Sequence, residues 1–403
     1  MSINQVESVF LTSQEQEKKK TLNLQIGWDT DIGGSKDKPN QDRKILVPFV
    51  EHDGCLIGMA DGHGTRSEEV AELCEKMMIE MIETKMDRIL INPVEFLEFA
   101  FDYIHEEIIK TYTCGTTFSL IIILGKKMWI ANVGDSTGIL CAKHPIFKNS
   151  DLAFEKDVAI PEKMYETKKA DDDKLSNYII LTSEDHSPED PEEYKRMRAF
   201  MPSAENPNHA ELLCVYDKQR RAKSLCPQVF NISEDGTPTV RPDDESFEYY
   251  VKNVRREKAT YVCGRHGENA LAGTRSLGDI ELHNLGLTHK PIIRSMDLNK
   301  VFMDLRAQVS ATAQAKAEAE EDPDPITVCV VLATDGVWDN WIYDHVQKFV
   351  IDKSCLKALK LDKERGAQRV CKSFMLRNQA FANKNFGSNS DNSTGIVLYI
   401  SEV

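Results

Sequence analysis

Four aspartates, Asp42, Asp61, Asp335 and Asp391, each sit at the end of an apolar run and beside turn-forming residues. In Gly58-Met59-Ala60-Asp61-Gly62-His63-Gly64, the run Cys55 to Ala60 ends in an acid, a histidine and two glycines that let backbone approach a ligand closely. An Asp-Gly pair alone also makes an ordinary turn, so Asp61 gains meaning only from the other three acids. Carboxylates crowded together repel and raise one another's pKa unless cations neutralise them. Hard oxygen ligands without a His/Cys ligand set point to Mg²⁺ or Mn²⁺, not zinc. Two such ions roughly 3.5 to 4 Å apart activate a bridging water and stabilise in-line attack on phosphorus. His63 is the candidate proton carrier, because imidazole titrates near neutral pH.

The elements around these residues follow from periodicity. Lys44 to Val50 and Cys55 to Ala60 read as strands joined by Glu51-His52-Asp53-Gly54, a hairpin that brings Asp42 beside Asp61. Thr65 with Glu68 gives a capping-box pattern opening a helix to about Met86, with Val70, Cys74, Met77, Met81 and Ile82 at helical spacing. Asn92-Pro93 starts a second helix, with Val94, Leu97, Phe101, Ile104 and Ile108 on one face. Thr116 to Leu124, Met128 to Val133 and Thr137 to Ala142 are apolar runs with short connections, expected as an antiparallel meander. Tyr178 to Leu181 is a further strand. If Val328 to Ala333 and Gly395 to Ile400 pair antiparallel, Asp335 and Asp391 share one edge, and helical sequence lies between them. Strand groups alternating with helix pairs predict two sheets covered by helices.

Residues 1–22 read as a polar, mobile lead-in and 23–403 as one domain with three insertions. The stretch 143–177 is charged and irregular. The stretch 187–271 mixes proline, charge and scattered aromatics, and its basic clusters Arg220-Arg221-Lys223 and Arg255-Arg256-Lys258 are expected as solvated faces. The third, 303–326, contains the alanine- and glutamate-rich run Ala307 to Glu321, stopped by Asp322-Pro323-Asp324-Pro325 and expected as a surface helix or tether.

The 403 residues are 41% hydrophobic, enough for a substantial core. A formal charge of −15 argues against nonspecific nucleic-acid binding. No apolar stretch reaches the roughly 18 residues of a membrane span. The start Met1-Ser2-Ile3-Asn4 has neither a signal-peptide pattern nor a myristoylation glycine, so a soluble cytoplasmic or nuclear monomer is expected. Ten cysteines without a Cys-x-x-Cys pair read as reduced core residues.

Eight blocks occur in order: Asn40-Gln41-Asp42, Asp61-Gly62-His63-Gly64, Gly115-Thr116-Thr117, Asn132-Val133-Gly134-Asp135-Ser136, Leu181-Thr182-Ser183-Glu184-Asp185-His186, Thr274-Arg275-Ser276-Leu277-Gly278-Asp279, Ala333-Thr334-Asp335-Gly336-Val337-Trp338-Asp339 and Asp391-Asn392. Together they resemble the signature blocks of the metal-dependent PPM, or type 2C, serine/threonine protein phosphatases. The resemblance implies an α+β fold, an αββα sandwich of two packed antiparallel sheets flanked by helices, with 187–271 placed as a long flap insertion. It implies a dinuclear Mg²⁺/Mn²⁺ site in which Asp61 bridges the ions, the Gly62 carbonyl assists, and Asp335 and Asp391 complete the ligands. Asp42 resembles a ligand or a holder of coordinated water. His63 resembles the general acid of phosphoserine and phosphothreonine hydrolysis, and Asp185 with Asp339 the ligands of a weaker third metal. Phosphoproteins are the implied substrates.

The chain departs from the family pattern at Gln41, often a glutamate, and at Asp37, where many members carry a phosphate-binding arginine. Lys36 and Lys38 flank Asp37 and are the candidate phosphate-binding cations, although lysine lacks arginine's bidentate fork. These departures motivate a second reading, a pseudophosphatase acting as a binding or scaffold module. A third reading is a phosphoesterase for small molecules using the same site.

Overall fold

Alternating burial along the strands assigns their side chains to three apolar layers. The computed structural model describes residues 22–34, 39–146, 154–155, 176–183, 185–200, 212–217, 225–243, 246–264, 269–316 and 326–402. The chain enters as β1 (Leu22–Asp31), β2 (Asp42–Phe49) and β3 (Gly54–His63) and passes through α1 (Ser67–Ile91) and α2 (Pro93–Ile109). It returns as β4 (Gly115–Thr116), β5 (Phe118–Leu124), β6 (Lys127–Val133) and β7 (Thr137–Ala142), followed by β8 (Phe154–Glu155) and β9 (Ile179–Leu181). Next come α3 (Pro191–Ala199), β10 (Leu212–Tyr216), β11 (Phe230–Ile232), β12 (Pro238–Val240), β13 (Thr260–Gly264), β14 (Ala270–Leu271) and β15 (Leu277–Gly278). The last stretch holds α4 (Ile280–His283), β16 (Ile292–Asp297), α5 (Leu298–Lys316), β17 (Thr327–Ala333), α6 (Asp335–Trp338), α7 (Tyr343–Val350), α8 (Lys353–Leu361), α9 (Gly366–Asn385) and β18 (Ser393–Glu402).

One sheet has the order β1-β18-β17-β7-β9; the other runs β15-β4-β3-β5-β6-β16-β8, with β2 also on β3. Because side chains alternate across a strand, Ile57, Met59, Ile121 and Ile123 meet Val328, Val330, Leu332 and Leu398 between the sheets. The intervening Leu56, Ala60, Leu120 and Ile122 pack under α1 and α2. On the opposite side Cys329, Val331, Val397 and Tyr399 pack with Val346, Val350, Val370 and Phe374 of the C-terminal helices. The result is the helix–sheet–sheet–helix order expected from the sequence.

Several local expectations change. β5 and β6 pair, but β7 pairs with β17 and β9 in the other sheet, so the three runs do not form a meander. β7 is buried on both faces, and alternation cannot assign a doubly buried strand to a sheet. The helix α1 begins at Ser67 with Arg66 in a left-handed conformation and no side-chain cap, so Thr65 and Glu68 make no capping box. Helix α5 starts at Leu298, and Leu298, Val301, Phe302 and Leu305 are buried between the sheets, so an insertion does not begin cleanly at 303. The described residues of 187–271 are built into elements. Tyr194, Met197, Leu212, Tyr216, Phe230 and Val262 share an apolar cluster with Leu282 and Leu287, beside a three-stranded and a two-stranded sheet.

Residues 1–21 of the lead-in 1–22, the cluster Arg220-Arg221-Lys223 and most of 143–177 lie outside the described residues, while Leu22, placed at the end of the lead-in, opens β1. All ten cysteines are free and all but Cys355 are buried. No helix among the described residues is long and apolar enough to cross a membrane.

Candidate metal centre

The hairpin register sets the first pair of acids directly opposite each other, Asp42 against Asp61. Antiparallel pairing of Ala333 with Gly395 brings the ends of β17 and β18 together, so Asp335 and Asp391 emerge at a common edge. The two edges are tied by Thr334. Its hydroxyl donates to Asp42 Oδ2 at 3.0 Å and accepts from Thr394 N–H at 3.0 Å. Asn392 adds a second tie, accepting from Gln41 N–H at 2.9 Å and donating to Ile32 O at 2.6 Å. Asp61 is fixed by Thr117, whose hydroxyl accepts from Asp61 N–H at 3.2 Å and bonds Ser136 Oγ at 2.8 Å.

Two glycines permit this closeness. A Cβ on Gly62 would lie 2.6 Å from Ser67 O, and one on Gly336 would lie 1.8 Å from Asn392 O. Both are non-bonded overlaps that only glycine avoids.

The electrostatics are those of crowded acids. Burial raises Asp61 well above the usual carboxylate range, and the charges of Asp42, Asp335, Asp391 and Asp135 raise it further. Burial likewise raises Asp335, with Asp135, Asp391, Asp339 and Asp42 adding to the effect. Asp42 is pushed up to about 7 by burial, partly offset by its hydroxyl contacts. Its Oδ1 is a buried acceptor with no hydrogen-bond partner, while Oδ2 is occupied by Thr334. An orphaned carboxylate oxygen within an all-oxygen acidic set is what a hard divalent cation would satisfy, so these residues fit Mg²⁺ or Mn²⁺.

His63 does not compete as a ligand through Nε2, which lies 2.6 Å from Asp279 Oδ2. Burial alone would lower its pKa, but the charge and hydrogen bond of Asp279 hold it above the ordinary imidazole value. Asp279 itself would be raised by burial, yet His63 and the Ser276 hydroxyl keep it low.

Behind Asp279, three neutral imidazoles stack. His105 lies 3.9 Å from His289 and 4.5 Å from His283 between ring centroids, with interplanar angles of 12° and 19°. His105 Nδ1 accepts from Gly278 N–H at 3.1 Å, and His283 Nε2 meets Ser276 O at 3.2 Å. Burial holds His105 at about 3 and His283 at about 4, so the rings stack uncharged. Their ligand nitrogens fall within 4.8 Å of one another, a tighter grouping than the carboxylates make. Nearly parallel planes cannot all contain one ion, however, so we read the trio as packing that braces Ser276 to Asp279.

The structure therefore brings together Asp42, Asp61, Gly62, His63, Asp335 and Asp391. Asp185 joins the rim, accepting from the Thr137 hydroxyl, and Asp339 follows α6, its N–H bonded to Asp335 O at 2.7 Å. Burial raises Asp185 as well. Lys36 and Lys38 lie outside the described residues. Sequence reasoning did not assign Asp135 or Asp279 to the site, although each stands beside a glycine in a quoted block, the same signal that marked Asp61. It also read Arg255 as solvated. In fact the Arg255 guanidinium donates to Trp338 O and to Trp341 O, the latter at 3.2 Å.

Residues 51–158 and 251–382, more than half of the chain, match the family model described as "Protein phosphatase 2C". Over 115 residues the chain is 29% identical to "Probable protein phosphatase 2C 35" of Arabidopsis thaliana, spanning 27% of this chain and 33% of that protein. Over 137 residues it is 31% identical to "Protein phosphatase 1K, mitochondrial" of Xenopus laevis, spanning 32% of this chain and 35% of that protein. Each match thus covers about a third of the curated relative's length. Among solved structures, the serine-threonine phosphatase 2C of Toxoplasma gondii aligns with 94% of this chain and 95% of its own, with 15% identity and a TM-score of 0.49.

Proposed function

Because the chain belongs to the protein phosphatase 2C family, we propose that it is a metal-dependent protein serine/threonine phosphatase using two Mg²⁺ or Mn²⁺ ions. The observation that carries this reading is the convergence of Asp42, Asp61, Asp335 and Asp391 on one edge, with Asp42 Oδ1 buried and unpartnered. Asp61, the Gly62 carbonyl, Asp335 and Asp391 would hold the ions, and Asp42 would ligate or position water. When bound, the ions supply Lewis-acid activation of water and neutralise phosphoryl charge.

The chain's own groups do the rest. Thr334 pins one Asp42 oxygen and leaves the other to accept. In the protonated His63 ring, Nε2 donates to Asp279, which leaves the Nδ1 proton for the departing serine or threonine oxygen. Asp279 orients the ring and favours its charged form. The hydrophobic layers on both sides keep the two acid-bearing edges in register, so the reacting groups are held before substrate arrives.

Lys36 or Lys38 is our proposed phosphate-binding cation in place of the family arginine; an unchanged KM for phosphopeptide in Lys36→Ala/Lys38→Ala would remove it. The pseudophosphatase reading drew on Asp37, which lies outside the described residues, and on Gln41. The Gln41 amide nitrogen donates to Gly64 O at 3.2 Å and to the Ser67 hydroxyl, bracing the loop after β3, so Gln41 gives that reading no specific support. Calorimetric titration with Mn²⁺, followed by comparison of a phosphothreonine peptide with small phosphate esters at equal concentration, tests the proposal. Absence of Mn²⁺ binding, or preference for the small esters, would count against it.

A further inference from the structure

One loop of the 187–271 region grips the segment that carries Asp335 and Asp339. Between Tyr250 and Ala259 the chain turns back on itself, with Lys252 N–H donating to Glu257 O at 2.8 Å and Ala259 N–H to Tyr250 O at 2.8 Å. Asn253 closes the turn from within, its Nδ2 donating to Glu257 Oε2 at 2.7 Å and its Oδ1 accepting from Glu257 N–H at 3.2 Å. Glu257 in turn holds Arg255 by a fork, Nε to Oε1 at 3.1 Å and Nη2 to Oε2 at 3.2 Å. The Arg255 side chain is only 8% exposed although it stands on a turn.

With Nε and Nη2 engaged by Glu257, the remaining nitrogen is directed at the end of α6. Nη1 donates to Trp338 O and to Trp341 O, the latter at 3.2 Å. Between these two carbonyls, Val254 N–H donates to Asp339 O at 3.0 Å. Carbonyls at a helix C-terminus have no partner within the helix, so a loop that takes them fixes where the helix ends. Helix α6 is only Asp335–Trp338, one turn, with Asp335 as its first residue and Asp339 as its C-cap. Whatever fixes its end therefore also fixes Asp335. From the other side Trp338 Nε1 donates to Thr137 O at 3.0 Å and to Ala333 O at 2.9 Å, and Asn378 Nδ2 donates to Gly336 O at 3.2 Å. The strands and α9 thus hold one side of the turn, and the loop holds its exit.

We propose that Arg255 is a positioning residue that latches this loop onto α6 and so holds Asp335 where it would meet a cation. The inference rests on the two-ion reading above. Groups that orient a metal ligand without touching the ion typically change affinity by about 10- to 100-fold. Charge and position act with opposite sign at Arg255. If its positive charge beside an acidic edge were all that mattered, removing it would tighten cation binding. If it positions Asp335, removing it loosens cation binding.

The test is calorimetric titration of full-length protein with Mn²⁺. Arg255→Met keeps an apolar stem and removes the fork, and it should bind Mn²⁺ about 10- to 100-fold more weakly than wild type. Arg255→Lys keeps the charge but cannot serve Glu257 and two carbonyls at once, so it should fall between the two. Arg256→Gln removes a charge from an exposed position of the same loop and should not weaken binding. Acrylamide quenching of tryptophan fluorescence in metal-free protein reads the latch without a cation. Trp338 and Trp341 are 2% and 4% exposed, and quenching should rise in Arg255→Met. Equal or tighter Mn²⁺ binding by folded Arg255→Met would overturn the assignment, as would unchanged quenching. Arg255→Met/Glu257→Gln, which removes both charges of the pair, provides the same comparison if the single variant does not fold. Failure of wild type to bind Mn²⁺ would count against the two-ion reading, and the quenching comparison would then decide the latch.

Discussion

A proton given to a departing serine or threonine oxygen must come from a group held in one orientation, and His63 is held by one carboxylate. The 2.6 Å contact with Asp279 fixes which nitrogen faces the acid. Replacing Asp279 with asparagine should lower kcat by about 100-fold, near the low end of general acid–base contributions, with KM changed little. His63→Ala should do the same, and the double variant should be no worse than His63→Ala alone, because the two residues act as one unit. Steady-state kinetics on a phosphothreonine peptide check both; additive losses would show that Asp279 acts elsewhere. The four edge aspartates were legible because each stands at one end of an apolar run. Asp279 was harder to assign, since β15 is only Leu277–Gly278 and too short to show a periodic pattern, and its partner lies 216 positions away.

At the scale of elements, the region 187–271 acts through defined struts. Glu193 of α3 is 3% exposed and bonds Arg275 Nε at 2.9 Å, Arg196 Nη2 at 2.9 Å and Thr274 Oγ1 at 2.8 Å. It thereby links α3 to the segment leading into Asp279. Burial would raise this carboxyl, but the bonds and charge of Arg275 outweigh that and hold it well below the usual 4.5. A depressed carboxylate pKa contributes stability that is fully present above the unfolded value and is lost progressively as pH falls from there through the lower folded value. Glu193→Gln should cost about 3 to 5 kcal/mol at pH 7, because it leaves buried arginine charge unpaired. Urea unfolding should then show a smaller loss of stability in the variant than in wild type as pH falls below about 4.5, the unfolded value, toward the depressed folded one; identical pH profiles across that range would refute the role. The close approach at Gly336 gives a second element-level test. Gly336→Ala should destabilise by about 1 to 3 kcal/mol through overpacking against Asn392, measured by thermal melting. Among the elements, the β2–β3 hairpin and the β17–β18 pairing were readable because turn chemistry and alternation agree. The placement of β7 was not, since its strand is buried on both faces, and the insertion's strands hid behind scattered aromatics that pack in one cluster with Leu282 and Leu287.

For the whole molecule, two sheets of different origin in the chain each contribute half of the acidic edge, and cations should bind only where both are folded. A ligand that binds the native state alone stabilises it by about 2.7 kcal/mol at a hundredfold excess over its Kd. Mn²⁺ should therefore raise the melting temperature of wild type, and Asp61→Asn or Asp335→Asn should remove most of that rise. The sandwich order itself was readable from period-two alternation flanked by helical stretches. The docking of the loop at Val254 and Arg255 was not, because it depends on carbonyls at Asp339, Trp338 and Trp341 far along the chain. The most direct test is release of phosphate from a phosphothreonine peptide by purified full-length protein, measured with Mn²⁺, with excess chelator, and after Mn²⁺ is restored. Turnover should appear with Mn²⁺, vanish with chelator, return on restoration, and be absent from folded Asp61→Ala; turnover that persists in chelator or in Asp61→Ala would contradict the metal-centred reading.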